Sequence, residues 1–157
     1  LSNFSMGGGY ITADLATCLK ISFNQAESLK HKAVISWKAG KEDTYEIQNK
    51  DFVTPFSALD TYLIFCVSLD MIIKYINKAL DNCQYDFPDY IPLYLTGGGV
   101  CFIKGIKDYF SKRLGRKVEL IAPSLPNITR PDSSSEVGLL DVAIDINDGF
   151  LNIIAVE

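Results

Sequence analysis

Three consecutive glycines, Gly97 to Gly99, sit inside "YLTGGGVCFIKGIKDYFSKRLG", where a β-type run gives way to a helix-type run. "IPLYLT" before them reads as a buried strand. The segment from about Lys104 to Leu114 reads as a helix with Ile106, Phe110 and Leu114 on its apolar face. "KVELIAP" is a second strand, ended by Pro123, and "EVGLLDVAI" a further helix that Ser133 and Glu136 can box. Strand, loop, helix, strand, helix is the alternation of an α/β domain. In open α/β sheets ligands bind beyond the carboxyl ends of strands. Glycines there let backbone N–H groups approach a ligand with no Cβ in the way. The triplet therefore makes either a bare tight turn or the floor of a binding site. It is not a GxxxxGK[ST] phosphate loop, because no lysine follows at the required place, and it is not a GxGxxG fingerprint.

The first half is organised differently. Thr12 to Lys20 reads as a short helix that Thr12 can cap, with Ile11, Leu15, Cys18 and Leu19 on one side. Ser22 and Gln25 form the S-x-x-Q capping box of a second helix that runs to about Lys32, with Ile21 and Ala26 available as its staple. "KAVISWKAG" and "DTYEIQ" alternate like two strands around the turn "AGKED", which predicts a β-hairpin, and Pro55 breaks the pattern. Ser57 to Asp81 carries the strongest helical period. Leu59, Tyr62, Cys66, Leu69, Ile73, Ile76 and Leu80 recur at steps of three and four, the signature of a core-facing amphipathic helix. The tail "DINDGFLNIIAVE" predicts a strand or two.

Composition narrows the function. A chain of 157 residues, 48% hydrophobic, can build one core or two small subdomains. Net charge of −4 leaves no basic footprint for nucleic acid, and Lys112, Arg113, Arg116 and Lys117 read as a solvated helix end. Cys18, Cys66, Cys83 and Cys101 show no CxxC pair or metal spacing, and three of them lie among apolar residues, as reduced, buried thiols of a cytosolic protein would. A single histidine, His31, argues against a histidine-based triad or metal site. No signal peptide opens the chain, and Tyr62 to Leu69 is too short to span a bilayer. The abrupt, glycine-rich opening suggests a piece of something longer.

A second glycine turn, "GGGYITADL", also leads into a helix, and "AESLK" puts Glu27 and Lys30 on one helical face. That pair is either an exposed salt bridge or a set of groups for a sugar and a base. With these stretches the chain resembles the C-terminal half, domain II, of an actin-like ATPase, closest to the bacterial cell-division FtsA family. "GGGYITADLATCLKISFNQAESLKHK" is similar to the family's GG-x-x-IT-x-DIA segment and the helix that bears AE-x-LK. "IPLYLTGGGVCFIKGIKDYFSKRLGRKVELIAP" resembles the adenosine motif, and "SSSEVGLLDVAI" the closing S-x-x-GLL helix. The resemblance implies a ribonuclease H-like α/β half over residues 1–157: a mixed sheet flanked by helices, with a small hairpin insertion at about 33–54. Gly97, Gly98 and Gly99 match the glycines that pass under adenine and ribose. Glu27 and Lys30 match the pair that flanks them, the Lys30 stem packing on the base with its ammonium in water. Gly8 and Gly9 match the ribose-side turn. The implied ligand is ATP or ADP, with Mg²⁺ bound only by the full-length protein. The implied partners are other subunits of an actin-like filament or cell-division proteins, in the cytoplasm of a bacterium.

The departures are equally informative. The family's two D-x-G-x-x-[ST] phosphate loops are not here, and "DINDG" is in the wrong place without the following Ser or Thr. The "L-P-G" turn reads Ile103-Lys104-Gly105, which keeps the glycine and loses the proline. Phosphoryl transfer is mostly positioning and charge stabilisation, so the chain alone is expected to have no catalytic residue and to be inactive. The competing expectation is a non-catalytic scaffold or interaction module with a vestigial cleft. Trp37, Tyr45 and the terminal helix are then candidate contacts, and an open or plugged cleft tells the two apart. A small-molecule kinase fragment of the same superfamily lacks any sugar-binding constellation. "FLNIIAVE" is too short and without a basic face for a membrane contact.

Overall fold

The computed structural model describes residues 3–35, 39–48, 52–84 and 88–154, with side chains as far as residue 147. Among the described residues five helices and four strands follow in the order α1 (Gly8–Leu19), α2 (Phe23–Lys32), β1 (Thr44–Gln48), β2 (Val53–Ser57), α3 (Ala58–Asp81), β3 (Leu93–Leu95), α4 (Ile106–Leu114), β4 (Val118–Leu120) and α5 (Ser134–Ile154). A single 3-10 turn, Pro131–Ser133, precedes α5.

The long helix forms where its period places it. Ser57 caps it by accepting from the Asp60 N–H (3.1 Å), Asp60 lies in the first turn and Lys78 in the last, each suited to the helix dipole. Its buried face is rotated from the Leu59–Leu80 seam, however. The buried positions include Thr61, Phe65, Ser68, Leu69, Ile72 and Ile73. Thr61 and Ser68 tolerate burial because their hydroxyls donate to the carbonyls four residues back, Ser57 O (2.8 Å) and Ile64 O (3.0 Å). Ser68 also donates to Asp14 Oδ2 (2.6 Å), which ties α3 to α1. Phe65, Leu69, Ile11, Leu15, Leu29, Ile106, Phe110 and Val118 make one continuous core between the four N-terminal helices and β4.

The sheets are small. β1 and β2 form an antiparallel hairpin in the register Thr44 with Ser57 and Gln48 with Val53. β3 and β4 are parallel and joined through α4, giving a β–α–β unit. The hairpin corrects the expected pairing: "DTYEIQ" pairs with the segment around Pro55, and among the described residues no part of "KAVISWKAG" forms a strand with it. Proline is admissible because a two-stranded ribbon consists of edges. Val34 instead forms a single parallel bridge to Lys104, and the Ile35 N–H donates to Lys104 O (2.8 Å). Tyr45 is half-buried on the core, and its hydroxyl accepts from the Val34 N–H (3.1 Å), so it fills space as well as closing a bond. Trp37 lies outside the described residues.

Four further expectations change. The first helix starts at Gly8, and Thr12 is a buried residue of its second turn, not its cap. The tail continues α5 as helix to Ile154 in place of strands, exposing Leu139, Leu140, Val142, Ile144 and Ile146. Of the four free cysteines only Cys101 is buried; Cys18 and Cys83 are exposed and Cys66 is intermediate. The basic cluster is also not simply solvated. Arg113 pairs with Asp70 (3.0 Å), Arg116 with Asp89 (3.0 Å) and Lys117 with Glu119 (2.6 Å).

Candidate functional site

The two glycine turns meet. Gly8 at the start of α1 and Gly99 after β3 are in backbone contact: a Cβ on Gly8 would lie 2.1 Å from Gly99 O, and one on Gly99 would lie 2.8 Å from the Gly8 nitrogen. No side chain fits at either position, so the close approach is the reason for glycine here. Gly97 has φ of +94°, and its N–H donates to Pro131 O (3.0 Å). Gly98 is exposed, yet a Cβ there would come within 2.9 Å of Asp132 Cβ and 4.0 Å of the Phe102 ring. Gly9 is exposed and has nothing near it.

Lys30 connects this turn to α2. Its ammonium donates to Gly8 O (3.3 Å), Thr12 Oγ1 (3.0 Å) and Glu27 Oε2 (2.8 Å). Thr12 in turn donates to Gly8 O (3.0 Å) and to Glu27 Oε2. Lys30 is only 4% exposed. That corrects the expectation of a wet ammonium: α1 packs over α2, and three oxygens replace the lost water. Glu27 stays 38% exposed at the outer end of the network, with His31 Nε2 3.2 Å away. Burial pushes the Glu27 carboxyl up. The hydrogen bonds from Lys30 and Thr12, with the charges of Lys30 and His31, outweigh this and hold it below its ordinary value.

A second set of residues borders the exposed face of Gly98. The Phe102 ring has the His31 ring 6.2 Å away and tilted, and the Arg130 guanidinium 5.4 Å from its centroid. Arg130 also pairs with Asp132 Oδ2 (2.7 Å). The other oxygen, Asp132 Oδ1, is buried without a hydrogen-bond partner. Thr96 closes the border through a short hydroxyl–hydroxyl contact with Ser134 (2.5 Å).

Of the seven sequence-predicted residues, Gly8, Glu27, Lys30 and Gly99 form one continuous run of contacts. Gly97 and Gly98 adjoin it along the chain. Gly9 points away from it. Thr12, His31, Phe102, Arg130 and Asp132 escape sequence reasoning, since their places depend on how α1, α2 and the 130–133 segment pack. A Thr four residues after Gly8 was the one available signal. Among the described residues no three His, Cys, Asp or Glu side chains gather in a way that would hold a metal ion.

Comparison with known proteins bears on this arrangement. The family described as "Cell division protein FtsA" matches residues 1–138. The cell division protein FtsA of Enterococcus hirae is 22% identical over 147 residues, 90% of this chain and 33% of the relative. Among solved structures, MreB5 of Spiroplasma citri bound to ADP superposes with a TM-score of 0.70 at 14% identity, over 95% of this chain and 47% of MreB5. A non-polymerising MamK mutant bound to AMPPNP gives 0.53 at 17% identity, over 73% of this chain and 39% of MamK. The chain thus spans a third of the FtsA relative and about half of MreB5, and its α/β fold is actin-like. With the match running through both glycine turns, α1 to α4 and the start of α5, the chain belongs to the cell division protein FtsA family.

Proposed function

We propose that this chain is the adenosine-binding part of an FtsA-family actin-like protein, taking ADP or ATP beside Gly97–Gly99. The observation that carries the reading is the joining of the Glu27–Lys30 network to the glycine turn through Gly8 and Gly99. The two segments are far apart in sequence and meet at Gly8 and Gly99. A ligand's flat base suits the exposed Gly98 and the Phe102 ring. Ribose hydroxyls suit the outward Glu27 carboxylate, which stays 38% exposed. Lys30 acts one step back: it neutralises Glu27 and fixes Gly8. Solved MreB5 structures of the same fold hold ADP and AMPPNP, which supports a nucleotide ligand.

Phosphate loops of the D-x-G-x-x-[ST] form are lacking in the sequence. Phosphate cradling, Mg²⁺ and hydrolysis therefore fall to a part of a family member that this chain does not span, and the chain alone is inactive. We place the whole protein in a bacterial cytoplasm, where its partners are subunits of an actin-like filament or other division proteins. Residues 1–157 act as one domain II unit with the hairpin as its small insertion. Among the described residues no helix is long and apolar enough to cross a membrane.

One observation favours the scaffold reading. The 130–133 segment rests on the turn, with Pro131 occupying the Gly97 N–H and Asp132 against Gly98. An NMR amide titration with ADP, run beside Glu27→Ala, separates the two. Shifts that cluster at Gly8, Lys30 and Gly97–Gly99 and weaken in the variant are expected. Unchanged spectra at millimolar ADP would sink the binding reading and leave the scaffold.

A further inference from the structure

The Glu27 carboxylate has no acceptor site to spare. The Lys30 ammonium lies 2.8 Å from each of its oxygens, Thr12 Oγ1 is bonded to Oε2, and His31 Nε2 lies 3.2 Å from Oε1. A carboxylate offers about four lone-pair sites, and these four contacts take them. A ribose hydroxyl therefore reaches Glu27 only by displacing one of its neighbours. Lys30 and Thr12 are held in place: both are buried, and both also bond Gly8 O. His31 is free to leave. It stands half exposed, four residues on from Glu27 along α2, with the uncharged Phe102 ring 6.2 Å away.

We propose that His31 is the group a ribose must displace from Glu27, and that its charge sets how readily it leaves. Protonated, the imidazolium is an ion-pair partner of Glu27 and keeps the carboxylate closed to a ligand. Neutral, it is an ordinary donor that ribose hydroxyls replace. The gate rests on the adenosine reading above and adds to it: ligand binding and protonation of His31 oppose each other. Such coupling is reciprocal, so the bound ligand drives the His31 proton into solvent. The surroundings leave the switch to this one residue, because histidine is the side chain whose ordinary pKa lies between about pH 5 and 8. The other charged groups on α2 and on what packs against it are Lys30 and Lys32, Glu46 of β1, whose carbonyl takes Lys32, and Lys104 beside Val34. Asp14 of α1 is turned to Ser68, and Arg130 and Asp132 pair beyond Phe102. Carboxylates, ammonium groups and guanidinium ordinarily keep one charge through that range. The Glu27 carboxyl, held below its ordinary value, stays ionised across it. Phe102 already carries the Arg130 guanidinium, so it offers a charged imidazole no better place than Glu27 does.

The test uses adenosine as the probe, because phosphate groups titrate near pH 6 themselves and would mask the effect. Its affinity for the 157-residue chain is read from the amide shifts of Gly8 and Gly97–Gly99 at about pH 5.5 and about pH 8. The parent should bind about two- to fivefold more weakly at the lower pH, the range of an exposed ion pair. His31→Ala should bind at least as well as the parent does at the higher pH, and equally at both. His31→Gln, a donor that carries no charge, should also bind equally at both. 2′,3′-Dideoxyadenosine has no 2′ or 3′ hydroxyl to compete for Glu27, so its binding to the parent should ignore pH. Calorimetry in two buffers of different ionisation enthalpy should find a proton released on adenosine binding by the parent near pH ~6.5, and none by His31→Ala. Equal adenosine affinity at the two pH values in the parent, or a pH dependence that survives His31→Ala, overturns the gate and leaves the adenosine reading standing. No adenosine shifts at the higher pH in either the parent or His31→Ala sinks that reading and the gate with it.

Discussion

Gly8 and Gly9 are neighbours in sequence with opposite burial, and Ala at each should move stability in opposite directions. At Gly8 a Cβ falls 2.1 Å from Gly99 O and 2.4 Å from Gly99 Cα, all backbone. The start of α1 and the glycine turn must part by roughly 1 Å before those atoms reach ordinary contact distance. Neither side can yield alone. Gly8 O is held by Thr12 and Lys30, and the Gly97 N–H by Pro131. Overpacking of this kind costs about 1–3 kcal/mol, partly offset by up to ~1 kcal/mol from the better helix former. Gly8→Ala is therefore expected to lose about 1–2 kcal/mol. Gly9 also lies in α1 with nothing within 4 Å, so Gly9→Ala keeps the propensity gain, a few tenths to ~1 kcal/mol. Urea unfolding followed by far-ultraviolet circular dichroism measures both. A Gly8→Ala midpoint at or above that of the parent, or equal losses for the two variants, would refute the contact as the reason for glycine.

Three other outcomes follow from the same contacts. The Glu27 carboxyl is held below its ordinary value of 4.5, so its contribution to stability is complete above 4.5 and fades as pH falls through the lower, folded value. The stability gap between the parent and Glu27→Gln should close on acidification, and a gap that widens toward acid would contradict the assigned network. Lys30→Met should cost about 1–3 kcal/mol by the same urea assay. That is less than removing one member of a fully buried ion pair, because Gly8 O keeps the Thr12 hydroxyl and Glu27 can turn to water. Phe65→Ala, at the centre of the core at 1% exposure, should cost about 3–5 kcal/mol; a loss under half of that would mean α3 is not the central element.

What could be read from the sequence was local. The Ser22–Gln25 box is present with both reciprocal bonds, Ser22 N–H to Gln25 Oε1 (3.0 Å) and Gln25 N–H to Ser22 Oγ (3.3 Å), because a capping box closes within four residues. The limits of α3 were equally readable, since a run of 24 helical residues contains no Gly or Pro. Its buried face was not. Thr61 and Ser68 count as polar in any periodicity, and only their back-bonds make them core residues. The hairpin partner was illegible for a related reason: alternation marks a strand but not its neighbour, and Pro55 counts as a breaker only where a strand must pair on both sides. The tail, expected as a strand or two, continues α5 as helix to Ile154.

The candidate site divides along the same line. Glu27 and Lys30 are three apart on one helix, so their pairing needed no tertiary information. Whether the ammonium faced water did, because that is decided by Thr12 and Gly8 on another helix. The glycines show the limit most clearly. Three in a row say that the backbone requires freedom, and here each is used for a different purpose: Gly97 for its left-handed φ, Gly98 for room beside Asp132, and Gly99 for contact with Gly8. None of these purposes is itself a ligand contact. The case for a bound base thus rests on Gly98 staying exposed between Phe102 and Asp132 once the other two glycines have been spent on the fold. A Cβ at Gly98 meets Asp132 Cβ at 2.9 Å, so Gly98→Ala is expected to lower the urea midpoint somewhat. ADP-induced shifts that vanish while most of the midpoint is kept would assign that face to the ligand; shifts that survive would make it one more packing glycine.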